Sequence, residues 1–254
     1  MYQQKKYIQF LLKSSNQHGV HSPFIYDLIT KCFYNKTNYP DYQKLKTYKQ
    51  QLNKNKESIS ITDLGSGSKK TSDKQRRISE IAKTSGTPLK RAKLWYRLIQ
   101  YFKPKHVLEL GTSLGIATQA MHLGQPQAKI TTIEGCPNIA EFTKKSLADY
   151  KGIQFLTGNF SQQLNHVNQQ SWDLIFFDGN HTKEATLNYF ETLLPAAHNN
   201  TIFVFDDIYW SEGMTQAWET IKQHPQVTAT IDTFFWGFVF FRKEQGKEHF
   251  TIRI

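Results

Sequence analysis

A chain of 254 residues has room for one large domain, or for one domain with an extension. With 39% hydrophobic and 21% charged residues it has the composition of a soluble globular protein, and no apolar run reaches the roughly 18 residues of a membrane span. The net charge is +11 and uneven: residues 1–105 hold 22 Lys and Arg against 6 Asp and Glu, residues 106–254 hold 10 against 15.

The opening MYQQKKYIQFLLKSS has lysines before an apolar patch too short for a signal-peptide core, with no small-residue cleavage site after it. Ser22-Pro23 ahead of FIYDLITKCF is a helix start, serine capping and proline at the first helical position. His18 and His21 in QHGVHSPF have a metal-compatible spacing but no carboxylate or cysteine partner nearby, so helix entry or a substrate lid is the reading. Two cysteines, Cys32 and Cys136, fit a reducing, cytoplasmic setting without a disulfide framework. The basic front half is either a lysine-rich solvated face or a polyanion clamp, and lysine is the less informative residue for specific phosphate recognition. LKRAKLWYRLIQYF, 89–102, places Leu94, Arg97, Leu98 and Tyr101 at helical spacing, with Pro104 as the stop.

From residue 106 short apolar runs alternate with amphipathic stretches: VLEL then GIATQAMHL, ITTIE then NIAEFTKKSLADY, IQFL, DLIFFD then KEATLNYFETLL, TIFVFD then GMTQAWETI. That alternation signals an α/β fold, Rossmann-like and doubly wound, with a mostly parallel sheet. The tail VTATIDTFFWGFVFF reads as an antiparallel C-terminal hairpin at one sheet edge. Residues 1–87 are expected to form a basic, mainly helical extension or lid, and 88–254 the main domain.

Two strand-glycine segments compete for a cofactor: ISITDLGSGS, 59–68, and HVLELGTSLG, 106–115. A nucleotide loop needs a strand before it, a helix after it and a second strand ending in an acid about 20 residues on. Only the second has all three, the acid being Glu134. The first is expected to be a turn, or a lid where Ser66, Ser68, Lys69 and Lys70 meet an anion. In E-x-G-x-x-x-G, Ser113 stands where a dinucleotide loop has its middle glycine, which suits a ligand without phosphates.

At this point residues 88–242 resemble the class I S-adenosylmethionine-dependent methyltransferases. The resemblance implies that Glu109 lies near the methionine amino group, that Gly111, Thr112, Ser113 and Gly115 form the loop under methionine and ribose, and that Glu134 takes the ribose hydroxyls. Gly158, Asn159 and Phe160 fall where the family binds adenine, with Asn159 replacing the usual aspartate; a plain turn former is its other reading. WDLIFFDGNHTKEATLNYF and IFVFDDIYW are similar to segments of metal-dependent O-methyltransferases of the catechol, caffeoyl-coenzyme A and macrolide-sugar types. That implies Mg2+ held by Asp178, Asp206 and Asp207, with Asp178 beside the donor, and a metal-bound hydroxyl as nucleophile. Asn180 replaces the second acid of Asp-Gly-Asp; His181 beside it is the candidate proton acceptor, with a solvent-facing residue at a helix start as its other reading. Asp207 as a cap of the next segment is the alternative. No Asn/Asp-Pro-Pro-aromatic motif is present, and Cys136 lies beside the ribose position rather than where a nucleophile would act.

The expected function is therefore methyl transfer to a hydroxyl oxygen of a small molecule, with an acidic acceptor favoured by the basic front. The competing readings are a nucleic-acid (RNA) methyltransferase clamped by residues 1–105, and a catalytically degenerate donor-binding protein, suggested by Asn159 and Asn180. Tyr209, Trp210 and Trp236 are candidates for an aromatic acceptor wall, or for core. A homodimer is the base-rate expectation, and no membrane partner is implied.

Overall fold

The computed structural model describes residues 1–62 and 75–254; the GSGSKK segment with Ser66, Ser68, Lys69 and Lys70 lies outside them. In chain order the elements are α1 (Tyr2–Lys13), α2 (Pro23–Leu28), α3 (Tyr42–Lys54), β1 (Ser58–Ser60), β2 (Gln75–Arg77), α4 (Ile78–Thr84), α5 (Leu89–Phe102), β3 (His106–Leu110), α6 (Ile116–Gly124) and β4 (Lys129–Glu134). They continue with α7 (Pro137–Ser146), β5 (Ile153–Thr157), α8 (Phe160–Val167), β6 (Leu174–Phe177), α9 (Lys183–Leu193), β7 (Ile202–Asp206), α10 (Glu212–Gln223), β8 (Ala229–Asp232), β9 (Trp236–Phe240) and β10 (Glu248–Thr251). Two compact units result: Asn35–Gln163, and Met1–Tyr34 together with Leu164–Ile254.

In the 35–163 unit β3, β4 and β5 pair in parallel. Their runs are apolar because a parallel strand covered on both faces has no solvent side; Val107, Leu108, Leu110, Ile130 and Ile133 are buried. The helix read over 89–102 forms as α5, burying Ala92, Leu94, Trp95, Leu98 and Ile99. It ends at Lys103, left-handed at φ 49°, because the residue before Pro104 cannot continue a helix without clashing with the proline ring. β1 and β2, a short antiparallel pair, interrupt a region expected to be mainly helical, and β1 overlaps the ISIT run read as a strand before a glycine turn.

In the other unit Ser22 Oγ accepts from the Ile25 amide at 3.3 Å, the cap that Ser22-Pro23 announces. The run FIYDLITKCF continues α2 into a π-helical turn over Ile29–Phe33. β6 and β7 are parallel, whereas β9 is antiparallel to both β7 and β8. The hairpin of β8 and β9 forms as expected, but not at the edge: β10 pairs in parallel outside β8, in the order β10-β8-β9-β7-β6. EHFT, with two exposed residues followed by a buried and a half-buried one, lacks the apolar run that reveals a strand. The core is aromatic. Phe177 and Phe205 are register partners with rings stacked at 4.2 Å, and Phe190 and Phe203 meet edge to face. A Cβ on Gly237 would lie 2.6 Å from the Trp218 ring, so the glycine admits the buried indole.

Candidate active site

The turn from β3 to α6 is built by backbone that only certain residues tolerate. Gly111 has φ 107°, Ser113 φ 47° and Gly115 φ 70°, in the left-handed region where a side chain is costly. At Gly115 the space is also closed: a Cβ would stand 2.6 Å from Thr143 Cγ2 and 2.7 Å from Leu147 Cδ1. The last glycine thus serves the close approach of α7 to the start of α6.

Glu134, half-buried at the end of β4, accepts from the Ser113 amide at 2.8 Å through Oε2 and from the Cys136 amide at 2.9 Å through Oε1. Burial raises its carboxyl above the usual range and the amides pull it back. With the Gly135 amide bonding it as well, it joins the loop to the turn after β4, and a carboxylate's roughly four lone-pair sites leave acceptor capacity for a hydroxyl. Ser113 in turn is fixed by Thr143 Oγ1, which donates to its carbonyl at 2.7 Å.

Glu109 lies beneath the loop. It is 0% exposed and its Oε2 accepts from Thr118 Oγ1 at 2.5 Å and from Thr132 Oγ1 at 2.6 Å. Thr132 is its register partner across β3 and β4, and its hydroxyl also meets that of Thr112 at 2.6 Å. Oε1 is buried with no partner. Burial first, with Glu134 adding repulsion and the threonines opposing, pushes the carboxyl up to about 7. Glu109 is a buttress beneath the loop, with one unsatisfied oxygen left there. Thr118 and Thr132, not anticipated from sequence, hold it; the strand register was the signal that could have found Thr132.

Asn159 is exposed, and its side-chain oxygen accepts from the Ser161 amide at 2.9 Å, a local turn at the start of α8. The turn-forming reading is the one realised. Gly158, at φ 132°, and the half-exposed Phe160 flank it. Cys136 is buried, and its sulfur accepts from the Thr62 amide at 3.3 Å; ISIT thus runs beside the turn that follows Glu134.

In the other unit β6 and β7 deliver the remaining acids. Asp178 follows β6, and His181 Nε2 lies 3.8 Å from Asp178 Oδ1, both side chains about one-quarter exposed. Burial lowers the imidazole pKa while the Asp206 charge opposes it, so the neutral ring is favoured. Asn180, at φ 50°, directs its amide to Tyr189 Oη at 3.3 Å. Asp206 is buried as the last residue of β7, and Asp207 turns at φ 51° into a tight turn closed by the Trp210 amide on its carbonyl, 2.8 Å. The Asp206 charge acts on the His181 imidazole, and Asp207 lines a cavity. Among the described residues no group of three or more His, Cys, Asp or Glu is arranged to hold a metal, His18 and His21 included.

That cavity, about 260 Å³, is walled by Tyr7, Tyr209, Trp210, Phe234 and Phe235, with Gln3, Gln4 and Asp207 as its polar members. Tyr209 stacks on Phe234 at 5.2 Å and 21° and donates to Asp232 Oδ2 at 2.5 Å; Asp232 Oδ1 accepts from the Phe234 amide at 2.7 Å. Burial and the Asp232 charge raise the Tyr209 phenol well above its ordinary value. Trp236, 2% exposed, is core. Gln3, Gln4 and Tyr7 escaped sequence reasoning, since nothing local ties the first helix to a loop more than 200 residues on.

Residues 108–208 match the family described as a methyltransferase domain. Among solved structures, a methyltransferase of Podospora anserina with S-adenosylhomocysteine bound is 15% identical, covering 88% of this chain and 97% of that one at a TM-score of 0.61. The O-methyltransferase TomG of Streptomyces achromogenes, solved with S-adenosylmethionine, is 15% identical over 81% and 91% at 0.56. An O-methyltransferase of Bacillus cereus with S-adenosylhomocysteine is 15% identical over 83% and 95% at 0.54. At these identities the likeness is one of fold, the Rossmann-like fold of class I methyltransferases. No curated protein matches by sequence.

Proposed function

We propose that this S-adenosylmethionine-dependent methyltransferase, with its domain match over residues 108–208, methylates a hydroxyl oxygen of a small molecule held in the Asp207 cavity. The carrying observation is that cavity: an aromatic slot with one carboxylate suits a planar or apolar acceptor with a polar group to be aligned. The donor, when bound, supplies an electrophilic methyl on a sulfonium. On this chain Glu134 would take the ribose hydroxyls and the 111–115 loop would lie under the donor, with Glu109 stiffening it from below. Gly158 and Phe160 would border the adenine, with Asn159 lending it only its exposed edge.

Asp207 orients the acceptor from the cavity wall, and an acceptor hydroxyl reaching past that wall toward Asp206 would give its proton to His181. Its neutral form is favoured in the fold, and Asp178 at 3.8 Å compensates the charge it gains. Magnesium assistance would require Asp178, Asp206 and Asp207 on one ion. They are not gathered so, and no step here runs through a metal. Residues 1–87 act as an acceptor-side extension of the 88–254 domain; the place of Gln3, Gln4 and Tyr7 in the cavity wall supports this.

The test is transfer of labelled methyl from S-adenosylmethionine to a panel of hydroxylated aromatic compounds, with and without a chelator, across pH. Label on oxygen, insensitivity to chelator and a rate that falls only below about pH 6.5 are expected, because a lowered imidazole pKa keeps the base form at lower pH. A chelator-abolished rate would restore the carboxylate triad, and label found only on RNA would overturn the reading.

A further inference from the structure

The first helix has two faces, and only one of them is used inside the fold. At 100° per residue, Tyr7 and Phe10 turn toward Phe234, with ring centroids 4.8 and 5.6 Å away. Tyr2 donates to Thr215 Oγ1 at 2.8 Å, tying the helix to α10. The opposite face carries Ile8, 60% exposed, and Leu12, 83% exposed. They are one turn apart, with exposed Lys5 one turn before Ile8. Two large apolar side chains in adjacent turns of one exposed face cost solvation unless something covers them.

The surroundings narrow what that is. Lys5, Lys6 and Lys13 are the only charged side chains of α1 other than histidine, and no acid precedes Asp27. Phe235, on the cavity wall, is itself 49% exposed, and Tyr7 beside it 43%. The outer face of α1 is thus an apolar stripe with Lys5 beside it and Lys13 at its end. A second copy fits poorly: it would bring lysine against lysine, and a 12-residue helix of about 18 Å presents far less than the roughly 800 Å² per partner that a stable pair buries.

We propose that α1 docks side-on to an anionic lipid surface, Ile8 and Leu12 entering the headgroup boundary while Lys5 and Lys13 meet the anionic headgroups. No described helix can cross a bilayer, so the contact is peripheral. The docking itself does not depend on the acceptor chemistry and is read without turnover.

The experiment is co-sedimentation of the full chain with vesicles of phosphatidylcholine alone or phosphatidylcholine with phosphatidylglycerol, together with light scattering of the protein by itself. Binding to the anionic vesicles about tenfold or more above the neutral ones, reversed by salt, is expected. The Ile8→Gln/Leu12→Gln variant should lose it with an unchanged thermal midpoint, because both side chains stand in solvent. Lys5→Gln/Lys13→Gln should weaken it. Equal binding to both vesicles, no binding, or retained binding by folded Ile8→Gln/Leu12→Gln would overturn the proposal. A concentration-dependent dimer lost in that variant would assign the face to a second copy instead.

Discussion

Glu109 offers a quantitative handle on the loop. Its carboxyl sits at about 7 in the fold against an ordinary 4.5. A carboxyl raised by folding is bound more tightly by its proton in the native state, so its contribution to stability is full below pH 4.5 and is lost as pH rises toward and through 7. Between pH 5 and pH 8 the linkage amounts to about 2.5 kcal/mol lost. Glu109→Gln keeps the shape, stays neutral, and can use the Thr118 and Thr132 hydroxyls, which rotate to accept. The variant should therefore match or trail the parent at pH 5 and overtake it by pH 8. The thermal midpoint difference should move by about 5 °C or more in the variant's favour, at roughly 2–4 °C per kcal/mol for a chain this size. Melts of both proteins at pH 5, 6, 7 and 8 measure it. A midpoint difference that stays constant with pH would refute the assignment of a protonated, desolvated carboxyl beneath the loop.

Two further outcomes follow from the same geometry. Gly115→Ala sets a methyl 2.6 Å from Thr143 and imposes φ 70° on an alanine, so it should destabilise by about 1–3 kcal/mol in chemical denaturation, more than alanine at an exposed helical site. Asp232→Ala releases both Tyr209 and the Phe234 amide; the acceptor KM should rise several-fold while affinity for S-adenosylhomocysteine stays unchanged.

The parallel strands were legible because buried strands need uninterrupted apolar runs, and VLEL, ITTIE, LIFF and IFVFD have them. The loop was legible because Glu134 stands the right distance beyond Gly111. What the sequence hid was tertiary. Glu109 reads as an acid near a strand end in one dimension, and its enclosure by the register partner Thr132 and the helix residue Thr118 comes from tertiary pairing. Asp206 and Asp207 look like an acid pair, and the left-handed φ of 51° that Asp207 takes after β7 is not written in the pair itself. β10 was missed because only Phe250 and Ile252 of its region are buried, and the α1 wall of the cavity because Tyr7 and Phe234 meet across almost the whole chain.

The account turns on the donor lying over the 111–115 loop with its ribose on Glu134. Calorimetric titration of S-adenosylhomocysteine into the parent and Glu134→Ala, each verified as folded, tests this directly. Binding to the parent and at least a tenfold weaker affinity in the variant, on the order of 1.4 kcal/mol or more, is the predicted result. Equal affinity in both proteins, or no binding to the folded parent, would contradict it.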